Sequence, residues 1–209
     1  MKQYNIIFDL DGTLWDSSDT IVLAWNDILK KRNMKTIKAD VLKSCFGKTF
    51  DEIREIVFGN QKNSDLLLQD CMNNEIEFIK KYGGNLYNNT IPTLTKLKNN
   101  DNQLFIVSNC QSGYIESFLD FYDLRTIFKD YECEGNTKKD KSHNIRILMK
   151  RNNIQNKNTI YIGDTMGDMI SSKNNNLSFI YAKYGFGIVT DNECTEINNI
   201  DELLLLKKS

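Results

Sequence analysis

The sequence predicts an α/β protein: a doubly wound parallel sheet with helices inserted near its start. Three observations predict it. Short apolar runs recur, three of them followed at once by small or acidic polar residues. Helical periodicity fills the intervals between them. The interval after the first run, residues 14–102, far exceeds the roughly dozen residues that a parallel crossover needs.

The elements follow in order. Tyr4-Asn5-Ile6-Ile7-Phe8 is apolar without polar alternation, as suits a strand buried on both faces, and it runs into Asp9-Leu10-Asp11-Gly12-Thr13. Ser17 or Ser18 is placed to cap a helix reaching Arg32, with Ile21, Trp25, Ile28 and Leu29 on one face. Asp40 to Phe58 reads as helical on either side of Gly47, and Ser64 to Tyr82 as a helix broken by Gly83-Gly84. Residues 16–84 are therefore expected to form a helical cap domain, leaving 1–15 and 85–209 as the core. The competing expectation is that these helices simply complete one core. Every polar motif that follows a strand lies outside the segment, which favours a cap.

Gln103-Leu104-Phe105-Ile106-Val107 reads as a second strand, ending at Ser108-Asn109. A helix is expected from Ser142 to about Asn152, with Ile145, Leu148 and Met149 on one face. Thr159-Ile160-Tyr161-Ile162 is a third strand, followed by Gly163-Asp164-Thr165-Met166-Gly167-Asp168, and Ser178-Phe179-Ile180-Tyr181-Ala182 is a fourth. Leu203 to Leu206 reads as the end of a packed C-terminal helix. Strands alternating with helices give a doubly wound, Rossmann-like sheet.

Composition narrows the function classes. The chain has 209 residues, 40% hydrophobic and 26% charged, as in a water-soluble globular protein. Its 27 basic and 28 acidic side chains leave a net charge of −1, so no global field points to nucleic acid or to a membrane surface. No apolar stretch approaches the ~20 residues that span a bilayer, and no signal-peptide pattern opens the chain. Five scattered cysteines, Cys45, Cys71, Cys110, Cys133 and Cys194, suit reduced thiols and a cytoplasmic location. The one histidine, His143, has no Cys or His cluster to join, which argues against a zinc site or a Ser-His-Asp triad.

Chemistry concentrates in Asp9 and Asp11. Two carboxylates two residues apart at the carboxyl end of a parallel strand can face the crevice where open α/β sheets bind ligands. Burying that charge is costly unless a cation shares the site. One acid can attack as a nucleophile while the other moves protons, a pairing suited to phosphoryl transfer to carboxylate and then to water. Asp164 and Asp168, four apart at a helix start, share one side and complete an all-oxygen donor set. Such donors select a hard ion, and Mg²⁺ suits carboxylate shared with phosphate oxygen.

Asp9-Leu10-Asp11-Gly12-Thr13-Leu14 resembles the first signature of the haloacid dehalogenase-like phosphatases, and three later sites match their remaining signatures in order. The closest likeness is to the phosphoglycolate phosphatase-like branch, which inserts a small helical cap after the first signature. The resemblance implies that Asp9 is the nucleophile, giving an aspartyl-phosphate, and that Asp11 protonates the leaving oxygen and then activates water. It implies that Gly12 turns the backbone and Thr13 adds a hydroxyl. Ser108 would hold a phosphate oxygen, with Asn109 as a second donor. Lys141 would screen charge, with Lys139 as runner-up. Asp9, Asp164 and the backbone carbonyl of Asp11 would bind Mg²⁺ directly, and Asp168 through water.

Cys45-Phe46-Gly47-Lys48-Thr49 resembles the cap loop that approaches the site in this branch, so Lys48 or Lys43 would meet an anionic leaving group. Trp15 is expected between core and cap. The branch's usual Pro-Gly before the second strand's helix is replaced by Asn88-Asn89.

The implied function is Mg²⁺-dependent hydrolysis of a small soluble phosphomonoester. Two alternatives stand beside it: a β-phosphoglucomutase-like transfer back to a sugar, and a phospho-accepting signalling module without turnover. The expected partner is a small phosphorylated metabolite, without nucleic acid or membrane, and the chain is expected as a monomer or homodimer.

Overall fold

Apolar runs become strands where both their faces can be covered. The computed structural model describes residues 3–59, 61–190 and 194–205. Its strands are β1 (Asn5–Phe8), β2 (Trp15–Asp16), β3 (Asn85–Leu86), β4 (Gln103–Ser108), β5 (Asp130–Cys133), β6 (Thr159–Gly163), β7 (Ser178–Ala182) and β8 (Thr195–Ile197). Its helices are α1 (Ser18–Lys31), α2 (Ala39–Lys43), α3 (Phe50–Phe58), α4 (Ser64–Tyr82), α5 (Thr90–Asn99), α6 (Tyr114–Phe121), α7 (Glu134–Thr137), α8 (Lys141–Asn152) and α9 (Met166–Lys173).

The main sheet has six strands in the order β5-β4-β1-β6-β7-β8, and each neighbouring pair is parallel. β1 lies between β4 and β6, in register Ile7↔Phe105 and Ile7↔Tyr161. Alternate residues face opposite layers. Ile6 and Phe8 join a cluster with Leu94 of α5 and Phe118 of α6, whereas Ile7 packs with Ile145 and Leu148 of α8 and Met169 of α9. That two-sided burial explains why the central strands are almost uninterruptedly apolar.

The insertion carries α1 to α4. β2 and β3 pair antiparallel across its neck, Trp15 against Leu86 and Asp16 against Asn85. Inside it, Trp25 of α1 stacks on Phe58 of α3, with centroids 5.9 Å apart and planes at 10°. Thr49 starts α3 with a reciprocal capping box: its side chain accepts from the Glu52 N–H, and Glu52 accepts from the Thr49 N–H. Trp15 is fully buried and meets Tyr114, Phe118 and Tyr122 edge-on. Insertion residues and one face of the sheet share a contiguous buried cluster, which includes Phe8, Leu10, Trp25 and Leu68.

Some expectations are corrected. Ser17 is the N-cap residue of α1, yet its hydroxyl makes no capping bond and donates to Asp11 instead. The C-terminal segment forms a 3₁₀ helix over Ile200–Leu204; Leu203 is buried, Leu205 is exposed, and Leu206 lies outside the described residues. β5 and β8 were not among the apolar runs, because both are edge strands. Asp130 and Glu132 of β5 are polar because Arg151 of α8 pairs with both, at 2.7 and 2.8 Å. Asn89 takes a left-handed conformation, φ 64°, at the start of α5, a geometry that Asn tolerates. Among the described residues, no helix is long and apolar enough to cross a membrane.

Candidate active site

The strand order reverses at β1, where β4 lies on one side and β6 on the other. Open α/β sheets bind ligands beyond the carboxyl ends of the strands at such a reversal. β4 ends there in Ser108, and Asp9 and Asp164 follow directly on β1 and β6. The sequence could place each residue after its own strand; the sheet order makes them neighbours.

Lys141 ties the centre together. It lies in the first turn of α8, whose N-cap Asp140 accepts from the His143 N–H at 2.7 Å. Its ammonium donates to Asp9 Oδ1 at 2.7 Å and to Asp168 Oδ1 at 2.5 Å, with all three side chains buried. Burial works against the ammonium, but the Asp168 and Asp9 carboxylates outweigh it and hold its proton well above the ordinary lysine range. Lys139 is exposed. Lys138 lies over the Phe50 ring at 5.9 Å.

Asp168 has a second task. Its Oδ2 accepts from the Thr165 N–H at 3.0 Å and from the Thr165 hydroxyl at 2.6 Å, closing a capping box on α9. The helix cap is therefore Thr165, and Asp164 is free to face the crevice. Asp164 is fully buried. Its Oδ2 accepts backbone N–H bonds from Phe186 at 2.7 Å and Gly187 at 3.2 Å, and Thr13 donates to its Oδ1 at 3.5 Å. Gly12 has φ +87°, and a Cβ there would run into the Asp164 carboxylate. Glycine is required on both counts.

Asp11 is oriented differently. Its Oδ1 accepts from the Ser17 hydroxyl at 2.5 Å and the Tyr114 hydroxyl at 2.8 Å. Burial pushes its carboxyl up, while the bonds from Ser17 and Tyr114 pull it back, leaving it at about 6. Asp164 is pushed to about 7 by burial and by the charge of Asp168, against the pull of the Phe186 and Gly187 N–H groups. Asp9 is raised by burial, drawn back by Lys141, and raised again by Asp168 and Asp164.

These shifts describe a site with more carboxylate than cation. Asp9, Asp164 and Asp168 each offer an oxygen within 4.8 Å of the others. Lys141 is the basic group within bonding distance of two of them. The donors are all oxygen, so the residues fit a hard divalent cation such as Mg²⁺. The Asp11 carboxylate is outside this group, directed to Ser17 and Tyr114.

Of the remaining expected residues, Ser108 and Asn109 line a cleft between the sheet and the insertion. Asp9, Asp11, Ser108 and Asn109 line its polar end. The Asn109 amide donates to the Gly47 carbonyl at 3.0 Å, which brings the Cys45–Thr49 loop onto the site. Phe46 of that loop stacks on Phe186 with centroids 4.7 Å apart. Lys48 is half-buried and does not line the cleft. Lys43 pairs with Asp16 at 3.4 Å and lies over Phe186. Thr13 is buried, with its hydroxyl toward Asp164.

Sequence reasoning missed Tyr114, the Phe186-Gly187 amides, and the Glu75-Gln111 pair. Nothing in the periodicity of α6 distinguishes Tyr114 from a core aromatic, and backbone donors carry no residue signature. Ser17 was visible as a polar residue beside the first motif, but its helix-capping reading concealed its partner.

Comparison with known proteins agrees with this geometry. Residues 6–182 match the family model of the haloacid dehalogenase-like hydrolases. A phosphoglycolate phosphatase from Colwellia psychrerythraea is 25% identical over 197 residues, covering 89% of this chain and 87% of that protein. A crystal structure described as "a predicted phosphatase from Clostridium acetobutylicum" superposes with a TM-score of 0.79 at 25% identity, over 96% of each chain. One described as "a predicted phosphoglycolate phosphatase from haemophilus somnus 129pt" reaches 0.84 at 17% identity over 98% of each, a likeness of fold. With the family model spanning all the strands that carry the site, from β1 to β7, the chain belongs to the haloacid dehalogenase-like hydrolases.

Proposed function

We propose that this hydrolase is a Mg²⁺-dependent phosphatase acting on a small soluble phosphomonoester through an aspartyl-phosphate, with residues 16–84 as its cap. One observation carries the reading. Lys141 bridges Asp9 and Asp168 beside Asp164, while Asp11 is held apart by Ser17 and Tyr114. Two acids in two environments suit two tasks.

Asp9 attacks phosphorus in line, its oxygen–phosphorus bond forming as the bond to the leaving oxygen breaks. Asp11, raised by burial, gives its proton to that oxygen. Asp11, now a carboxylate, takes a proton from water, whose oxygen attacks phosphorus; phosphate departs and Asp9 is regenerated. Ser108 and Asn109 bind phosphate oxygens, and Lys141 balances charge on Asp9 and phosphate. Asp9, Asp164 and the Asp11 carbonyl would hold Mg²⁺, with Asp168 behind them. When bound, the ion supplies electrostatic stabilisation of charge on the transferring group. Uncatalysed phosphomonoester hydrolysis is slow enough that enzymes reach accelerations of ~10²¹, which is why several groups must act together.

The long insertion favours an enzyme over a compact phospho-accepting module. The cellular partner is a phosphorylated metabolite, and the protein works in the cytoplasm as a monomer or homodimer. Asp9→Asn tests the mechanism: with Mg²⁺, it abolishes release of p-nitrophenol from p-nitrophenyl phosphate. Full retained activity would reject it. Isomerised sugar phosphate in place of free phosphate would favour the mutase.

A further inference from the structure

Resting on the phosphatase reading, the cleft itself narrows the substrate. Its far wall belongs to the insertion: Trp25 from α1, Phe46 from the loop, Phe50 and Ile53 from α3, Leu68 and Met72 from α4. Among the described residues that line it, none is Lys, Arg or His. The two lysines that the sequence offered for an anionic leaving group lie elsewhere: Lys48 does not line the cleft, and Lys43 is paired with Asp16. Lys141 is committed to Asp9 and Asp168 at the phosphoryl end.

The polar point on this wall is an acid. Glu75 is 4% exposed; its Oε1 accepts from the Trp25 indole N–H and its Oε2 from the Gln111 amide. Gln111 also donates to the Met72 carbonyl at 3.0 Å, so the pair is fixed to α4. An ionised Glu75 repels a carboxylate in the cleft; a protonated one supplies no compensating charge. In either state a buried anionic leaving group lacks a cation, and burying unpaired charge is strongly unfavourable.

The geometry points to a phosphomonoester whose leaving group is uncharged and largely apolar or aromatic, seated between Asp11 and the Trp25-Phe50-Met72 wall, where no basic side chain among the described lining residues meets a carboxylate. Phosphoglycolate, with its own carboxylate, is then a poor substrate despite the likeness to phosphoglycolate phosphatases.

Phosphate release by the full chain with Mg²⁺ tests this, comparing benzyl phosphate with 2-phosphoglycolate. Both are esters of primary alcohols, one with an uncharged aromatic leaving group and one with an anionic leaving group. Benzyl phosphate is expected to have at least a tenfold higher kcat/KM. Equal or better turnover of 2-phosphoglycolate overturns the inference while leaving the phosphatase standing. Turnover of p-nitrophenyl phosphate with neither ester also overturns it. No turnover of any of the three overturns the phosphatase reading instead. Ile53→Lys supplies the missing cation at a half-buried wall position. It should move the ratio of the two kcat/KM values at least tenfold toward 2-phosphoglycolate. That ratio does not depend on the folded fraction, and an unchanged ratio overturns the inference.

Discussion

At the scale of single residues, burial assigns different proton affinities to similar acids. Asp11 sits at about 6 because Ser17 and Tyr114 offset part of the cost of burial. In the proposed mechanism it must be protonated when substrate binds, so kcat/KM falls as pH rises through that value. Both hydroxyls favour the charged form. Tyr114→Phe therefore raises the Asp11 pKa and moves the alkaline limb of the kcat/KM profile to higher pH. The substrate's ionisation is the same for both enzymes, so an unmoved limb would remove Asp11 from this role. Glu75 is pushed from 4.5 to about 8, chiefly by burial. The folded chain keeps that proton while the unfolded chain releases it. The stabilisation is complete below about 4.5 and is lost as pH climbs to about 8. The loss is on the order of a few kcal/mol. Glu75→Gln should flatten it: its melting temperature falls less between about pH 5 and pH 8 than that of the native chain. Equal falls would show Glu75 ionised in the fold.

At the scale of elements, the neck between sheet and insertion concentrates the packing. Trp15 belongs to the short β2 yet has no exposed surface, seated against the aromatic side of α6. Trp15→Ala removes this contact and leaves a cavity, at a cost of about 3–5 kcal/mol. Urea unfolding should show it as a lower midpoint with little change in slope. The helices α1, α3 and α4 were legible because their apolar periodicity is local. In α1, Ile21, Trp25, Ile28 and Leu29 recur at helical spacing whatever they pack against. β5 and β8 were not legible. An edge strand with one neighbour need not be apolar, and the polar face of β5 is satisfied by Arg151, which is remote in sequence.

At the scale of the whole molecule, the sheet order decides where the acids meet. β1 and β6 are separated by about 150 residues of chain yet pair directly, Phe8 beside Ile162. Their ends bring Asp9 and Asp164 into one buried group. Folding this charge together is unfavourable without a cation, so Mg²⁺ should bind the native state preferentially. Saturating Mg²⁺ raises the melting temperature; at a hundred times its dissociation constant the gain is about 2.7 kcal/mol. Asp164→Asn should abolish most of that rise. A rise of equal size in the variant would place the ion elsewhere.

The sequence by itself determined the strand endings, the helical insertion and the acids that follow β1 and β6. These depend on local periodicity and on residue chemistry that appears within a few positions. Only the tertiary structure decided which lysine reaches Asp9, that Ser17 serves Asp11 rather than its helix, that backbone amides of Phe186 and Gly187 hold Asp164, and that none of the described residues lining the cleft is Lys, Arg or His. Each of these is a contact between segments far apart in the chain, and its direction depends on how strands order and helices seat. No local pattern encodes that, because the energy that selects it arises only when the layers close.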